Sequence, residues 1–298
     1  MIGRPVSNLR RAIPAMLFAC LIYAILSAVV KEELSHLSVW GILFWRYAIS
    51  VFLFIPWMLY QMQGHSFSLK PTSFKLYWAR VGGSVIAIYL YCTALKTLSI
   101  GLASLLNNTL PLFVPLVARV WKKTPINHQL WWGFGVALLG VILVLAPHSA
   151  HWNKNMFLAI GSGLFGAFSV VSLRYTHYQE PSYRINFYFF LLALVITIPM
   201  TFFNINESWK ALSIKDMLPL LIIGVTGLLY QQSSSFALKH APARFLAPFM
   251  YSTVIWGMIL DRWFWGIVLT SSMLIGTVLI IFGNILIYIL YPKKDLTS

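Results

Sequence analysis

The sequence predicts an all-α integral membrane protein of ten transmembrane helices, arranged as two inverted five-helix repeats. Three observations carry this reading. Hydrophobic residues make up 59% of the 298 and charged residues 10%, against roughly 45–50% and 25% in a soluble domain. The apolar residues come in runs of about 20, the length that crosses a hydrocarbon layer, and the runs recur from end to end. One gap-free shift of 143 residues aligns distinctive side chains in the two halves.

The runs and their polar breaks place helices near residues 12–31, 38–61, 78–98, 100–121, 129–147, 156–176, 184–205, 216–237, 243–263 and 266–291. Outer-membrane barrels show short alternating segments, whereas Leu220 to Leu229 and Val278 to Leu290 are continuously apolar, so the segments are helices. Basic residues precede the first run as in a signal peptide. The run is long and lacks an obvious small-residue cleavage site, so it is kept as a helix.

A net charge of +15 would suggest nucleic acid in a soluble protein. Its placement says otherwise. With both termini inside, one side of the membrane holds Arg4, Arg10, Arg11, Lys70, Lys75, Arg80, Arg119, Lys122, Lys123, Arg174, Arg184, Lys239, Arg244, Lys293 and Lys294. The other holds Lys31, Lys96, Lys154, Lys210, Lys215 and Arg262. Fifteen against six, with Arg46 inside the membrane completing the 22, predicts cytoplasmic N and C termini and no nucleic-acid partner. The two cysteines, Cys20 and Cys92, fall inside predicted helices and read as packing residues.

At the shift of 143, Lys31 falls on Arg174, Pro56 on Pro199, and Ala94-Leu95-Lys96 on Ala237-Leu238-Lys239. Arg119 meets Arg262, and Gly133 and Gly140 fall on Gly276 and Gly283. Matches of Pro, Gly and charge at one register are hard to obtain by accident in an apolar chain. The repeats span 12–147 and 156–291, with cytoplasmic tails at 1–11 and 292–298. Five helices is an odd number, so the second half starts on the opposite side of the membrane from the first. Such a pair of similar packings is the structural basis of alternating access around a site between the halves.

Several segments resemble the bacterial drug/metabolite transporter superfamily with two EamA-type domains, over about residues 12 to 291. They are Ile42-Leu43-Phe44-Trp45-Arg46-Tyr47, and Ala94-Leu95-Lys96 through Ala103-Ser104 to Leu110-Pro111-Leu112-Phe113. In the second half they are Ala237-Leu238-Lys239-His240-Ala241-Pro242-Ala243 and Ala247-Pro248-Phe249-Met250-Tyr251. With Trp256 five residues on, the chain is most similar to the branch holding S-adenosylmethionine and riboflavin carriers and some metallophore exporters. The resemblance implies a transporter of the bacterial inner membrane and not an enzyme. The family's usual glycine-glutamate pair is absent after the fourth and ninth helices, where the chain has Trp121-Lys122-Lys123 and Trp263-Phe264-Trp265-Gly266. Phe189 stands where the repeat would place a second Arg46.

Polar groups inside spans are costly and are candidates for the substrate site. Arg46 lies too deep in the second helix to reach water fully, so it either pins helix ends or binds a substrate carboxylate or phosphate. Asn107, Asn108 and Thr109 lie mid-membrane, and their repeat partners are Met250, Tyr251 and Ser252. Consecutive residues point about 100° apart, so one or two of them face any one cavity. Pocket lining and helix-to-helix hydrogen bonding both remain open for Asn108 and Tyr251. Tyr230-Gln231-Gln232-Ser233-Ser234-Ser235 is the most polar stretch in any span, tolerable only beside water or buried protein. The candidate binding set is Tyr23, Arg46, Tyr89, Asn107, Asn108, Tyr230, Gln231, Gln232, Tyr251 and Trp256. Aromatic faces with a few placed polar groups are what a pocket needs, although a membrane-interface belt also explains single aromatics.

Asp and Glu total seven, and the one nearest a span interior is Asp261, read as a surface pair with Arg262. Without a deep carboxylate the chain reads as a facilitator or exchanger. No phosphate-cradling loop, metal-ligand spacing or catalytic triad stands out, and no cofactor is expected; His148 and His151 read as a solvated loop pair. The expected substrate is a small polar metabolite, such as S-adenosylmethionine, a purine or an amino-acid derivative, in contact with membrane lipids around the bundle. Rival readings are an exporter of drugs or amino acids, a lipid flippase or membrane enzyme, and an assembly or sensor subunit. Glycines seven apart in the fifth and tenth helices would serve either a homodimer or close packing of the two halves.

Overall fold

The computed structural model describes residues 8–61, 70–71, 73–122, 130–145, 154–177, 180–203, 213–241, 246, 249–267 and 270–290. The chain ends, the His148/His151 pair, Pro242 to Arg244 and Ala247-Pro248 lie outside the described residues. The described helices are α1 (Leu9–Glu33), α2 (Val39–Gln61), α3 (Phe74–Leu95), α4 (Ile100–Asn107), α5 (Leu110–Lys122) and α6 (Leu130–Leu145). The second half continues with α7 (Lys154–His177), α8 (Ser182–Phe203), a 3-10 turn (Ile214–Asp216), α9 (Met217–His240), α10 (Ser252–Trp265) and α11 (Ser271–Leu290).

Among the described residues, seven spans, with α4 and α5 taken as one, are long and apolar enough to cross a membrane, and α6 and α11 contain shorter apolar stretches. Large apolar side chains cover the outside, with Phe52 at 76% and Trp132 at 75% exposure. Such a surface suits hydrocarbon and not water.

Hydrogen bonds at the two faces of the bundle show the inversion. We call the face where α1 begins proximal and the face where it ends distal. Asn8 before α1 donates its N–H to the carbonyl of His240 at the end of α9, at 3.0 Å, so these two helices run antiparallel. At the distal end, Lys31 of α1 donates to the carbonyl of Leu98 after α3, at 2.9 Å. Asn155 at the start of α7 donates to Thr97 in the same turn, at 2.7 Å. Thus α7, the repeat partner of α1, begins on the face where α1 ends.

The packing respects the same symmetry. α1 packs on α9 as its counterpart α7 packs on α3, while the pairs α2 with α8 and α6 with α11 each map onto themselves. The seven-spaced glycines are used in the last of these crossings. A Cβ on Gly140 would stand 2.7 Å from the Gly276 carbonyl oxygen, and one on Gly283 would stand 2.6 Å from the Ala137 backbone nitrogen and 2.8 Å from the Gly133 carbonyl oxygen. The two helices touch backbone to backbone, which is close packing of the halves within one chain.

Two expected boundaries are corrected. Gly266, expected to open the tenth helix, instead ends α10 with φ of 64°, the left-handed cap that glycine adopts without a Cβ penalty. The fourth span, expected as one helix over 100–121, breaks between Asn107 and Leu110. Pro111 explains the break, because it has no N–H for the carbonyl of Asn107, and its ring crowds the preceding turn.

Candidate substrate site

The break in the fourth span has a counterpart. Tyr251, which the repeat pairs with Asn108, is the turn residue immediately before α10. Its hydroxyl donates to the Asn108 carbonyl at 3.0 Å across a separation of 143 residues. Neighbouring carbonyls at the breaks are also occupied. Cys20 Sγ lies 3.6 Å from the Phe249 carbonyl, Thr253 donates to Met250 at 2.8 Å, and Thr109 donates to Leu106 at 2.7 Å. Asn107 accepts from the Ser162 hydroxyl at 2.8 Å through its side-chain oxygen. Gly163 leaves room for the turn, since a Cβ there would stand 2.9 Å from the Asn107 carbonyl oxygen. The Tyr251 hydroxyl and the Asn108 carbonyl therefore tie the two span breaks together, and the Asn107 side chain ties the first break to α7, where freed carbonyls would otherwise be costly.

Replacing Tyr251 by Phe should keep the ring and leave the Asn108 carbonyl without this donor. We expect a loss of about 1 kcal/mol, read as a lower melting temperature in detergent.

The second group centres on Arg46, two turns into α2 and 5% exposed. Its stem lies against α9, where a Cβ on Gly227 would stand 2.8 Å from Nε and 3.2 Å from Cγ. Its guanidinium carbon lies 5.6 Å from the centroid of the neighbouring Tyr47 ring. Tyr23 and Tyr230 pack with ring centroids 4.8 Å apart, and Tyr23 and Tyr91 with centroids 5.4 Å apart. The Tyr91 hydroxyl bridges Ser27 of α1 at 3.0 Å and Ser104 of α4 at 2.9 Å. One guanidinium thus lies between α2 and α9, and three phenols join α1, α3, α4 and α9. None of the ion pairs among the described residues involves Arg46.

The remaining candidates are placed elsewhere. Gln232 accepts from Asn186 of α8, whose side-chain oxygen accepts from Ser235 at 3.0 Å, so the polar run of α9 is tied to α8. Gln231 reaches Ser235 at 3.5 Å. Tyr89 stacks on Trp40 with centroids 4.4 Å apart. Trp256 is 37% exposed on the outer surface between Ile255 and Ile259, away from Arg46.

Sequence reasoning missed Tyr91, Asn186 and Arg80. Tyr91 sits two residues from Tyr89, about 200° around the helix, so choosing one tyrosine excluded the other face. Asn186 is a lone amide in the aromatic start of α8. Arg80 was counted among the charges of the cytoplasmic side, yet it is 2% exposed, over the Phe189 ring at 5.2 Å, with Nη1 lacking a hydrogen bond.

The carboxylates also differ from expectation. Asp261 does not form a surface pair with Arg262. It is buried at the distal end of α10 and accepts from the N–H groups of Ile100 and Gly101, at 2.9 and 2.7 Å, with Lys31 at 3.8 Å. A carboxylate on the positive N-terminal end of α4 is worth roughly 0.5–2 kcal/mol. Its repeat partner is Ala118, so the proximal face has no carboxylate at the equivalent place. Glu33, Glu180 and Asp216 are likewise buried, at helix ends rather than mid-bundle.

A bundle of this kind, polytopic, with inverted halves, two span breaks in contact and a buried arginine between the halves, is the architecture of a membrane transporter. Residues 10–146 and 153–289 each match the EamA-like transporter family, and the chain belongs to it. Its relatives include the pseudopaline exporter CntI of Pseudomonas aeruginosa, 26% identical over 279 residues, covering 92% of this chain and 94% of that one. The riboflavin transporter of Brucella anthropi is 24% identical over 240 residues, covering 78% and 83%. A solved crystal structure superposes on 95% of this chain and 98% of its own with a TM-score of 0.67, at 15% sequence identity, which shows a shared fold.

Proposed function

We propose that this protein is a secondary transporter that moves a small polar metabolite across the cytoplasmic membrane by alternating access, with both termini in the cytoplasm. The observation that carries this reading is Arg46, a guanidinium buried where α2 of the first half meets α9 of the second and 5.6 Å from the Tyr47 ring centroid, without a carboxylate partner among the described residues. A buried cation is stable only when paired, so a substrate carboxylate or phosphate supplies the countercharge. Phenol faces suit a planar group attached to that anion. S-adenosylmethionine, a purine derivative or a modified amino acid has this combination, and the riboflavin and pseudopaline names of two relatives lie in the same chemical range.

The remaining candidates are secondary. Asn108 and Tyr251 hold the helix breaks, and Gln231 and Gln232 border the network of α9. The 15-to-6 distribution of basic residues supports the cytoplasmic placement of the proximal face.

Counterflow in proteoliposomes tests the function. Vesicles preloaded with S-adenosylmethionine, adenine, riboflavin or single amino acids should accumulate the matching labelled solute, and an anionic or zwitterionic solute should exchange fastest. Absence of saturable exchange across the panel would reject the substrate class.

A further inference from the structure

We propose that Glu33, His36 and Asp216 form a divalent transition-metal site on the distal face, linking the turn after α1 to the start of α9. Glu33 is the last residue of α1, and the N–H groups of His36 and Leu37 both return to its carbonyl, at 3.3 and 2.9 Å. This turn puts Glu33 and His36 on one side. Asp216 closes the 3-10 turn in front of α9, and its Oδ2 is held by the Ser213 N–H at 2.7 Å, which aims Oδ1 at His36.

His36 Nε2 lies 3.1 Å from Asp216 Oδ1 and 3.3 Å from Glu33 Oε2, and the three candidate ligand atoms lie within 4.8 Å of one another. One ring nitrogen carries at most one proton, so it cannot donate to both carboxylates. Glu33 is 6% exposed, and its Oε2 has no hydrogen-bond partner. Two carboxylates therefore converge on one nitrogen, and a buried anionic oxygen is left over.

A cation resolves this arrangement. Tetrahedral bonds of 2.0–2.2 Å put ligand atoms roughly 3.3–3.5 Å apart, close to the two separations from Nε2. The other ring nitrogen, Nδ1, is 3.0 Å from the Ser35 hydroxyl. With its proton donated there, Nε2 presents its lone pair inward, the arrangement metal-bound histidines adopt. One imidazole and two carboxylates suit zinc and its neighbours, and two negative charges match a divalent ion. The exposed side of His36 leaves a fourth position for water.

The site joins the first half to the second on one face. At the shift of 143, Glu33 falls on Thr176, His36 on Gln179 and Asp216 on Ser73, so the proximal face lacks these ligand types at the equivalent places. A bound ion would therefore hold one face of the bundle and not the other.

Tag-free protein in detergent, stripped with chelator, would be titrated with Zn2+ against a chromogenic chelator and melted with and without Zn2+. We expect about one ion per chain and a higher melting temperature when bound. Glu33→Gln, nearly the same shape, and His36→Ala should each weaken binding at least tenfold and remove the thermal shift, while a His148→Ala/His151→Ala double variant keeps both. The proposal is overturned if wild type binds no zinc, or if Glu33→Gln binds as tightly as wild type. Loss of zinc only in the His148/His151 variant would overturn it as well.

Discussion

Arg46→Gln should sharply weaken counterflow while leaving the protein at least as stable as wild type. The two effects separate because Arg46 is buried without a carboxylate partner among the described residues. Removing an unpaired buried charge removes its desolvation cost, whereas removing one member of a paired set leaves a charge behind. Glutamine keeps donors for the surrounding tyrosines and loses the cation. A charge-assisted contact to substrate is worth about 1.5–3 kcal/mol, so apparent affinity should fall roughly 10- to 100-fold. Arg46→Lys should recover part of it, because a point charge replaces a planar fork. If instead Arg46 pins helices, the Arg46→Gln variant would melt markedly lower and still exchange solute once reconstituted. Binding curves and melting curves on the same preparations distinguish the two.

How much of this was legible in the sequence depended on which residue types could mark a register. The repeat was readable because Pro56, Gly140, Lys31 and their partners are rare in apolar helices and recur at one offset. The same offset led to Tyr251 and Asn108, and the structure brings them into contact as repeat partners. The Tyr251 hydroxyl, however, serves the broken backbone, a use that side-chain inventories do not separate from ligand binding. Arg46 was legible as a buried charge because it sits mid-run. Arg80 was not, since it lay near an uncertain helix start, and α3 begins four residues earlier than expected, at Phe74. Asp261 was misjudged for a related reason. Its sequence neighbour Arg262 suggested a pair, whereas its actual partners, Ile100 and Gly101, are 161 and 160 residues away. Long-range pairing between halves is the part that one sequence hides.

Gly283→Val should prevent most of the protein from folding, and Gly140→Val should do the same. At both positions the new Cβ meets backbone atoms within 2.6–2.8 Å, which cannot move aside as a side-chain end could. The helices α6 and α11 would have to separate along their whole crossing. The cost should lie at or beyond the upper end of the roughly 1–3 kcal/mol of ordinary overpacking, read as lost monodisperse protein in size-exclusion chromatography. Gly135→Ala in the same helix α6 is the control. A Cβ there meets nothing within 4 Å, and alanine is the better helix former by about 1 kcal/mol, so stability should hold or rise. The symmetry also fixes what should not change. Exchange of the two repeats maps Gly140 onto Gly283 and the crossing onto itself, so under the proposed alternating access this contact would be common to both states. A milder substitution such as Gly283→Ala should therefore lower the amount of folded transporter without altering the exchange rate per folded molecule. A changed rate at normal stability would show instead that α6 and α11 move against each other during transport.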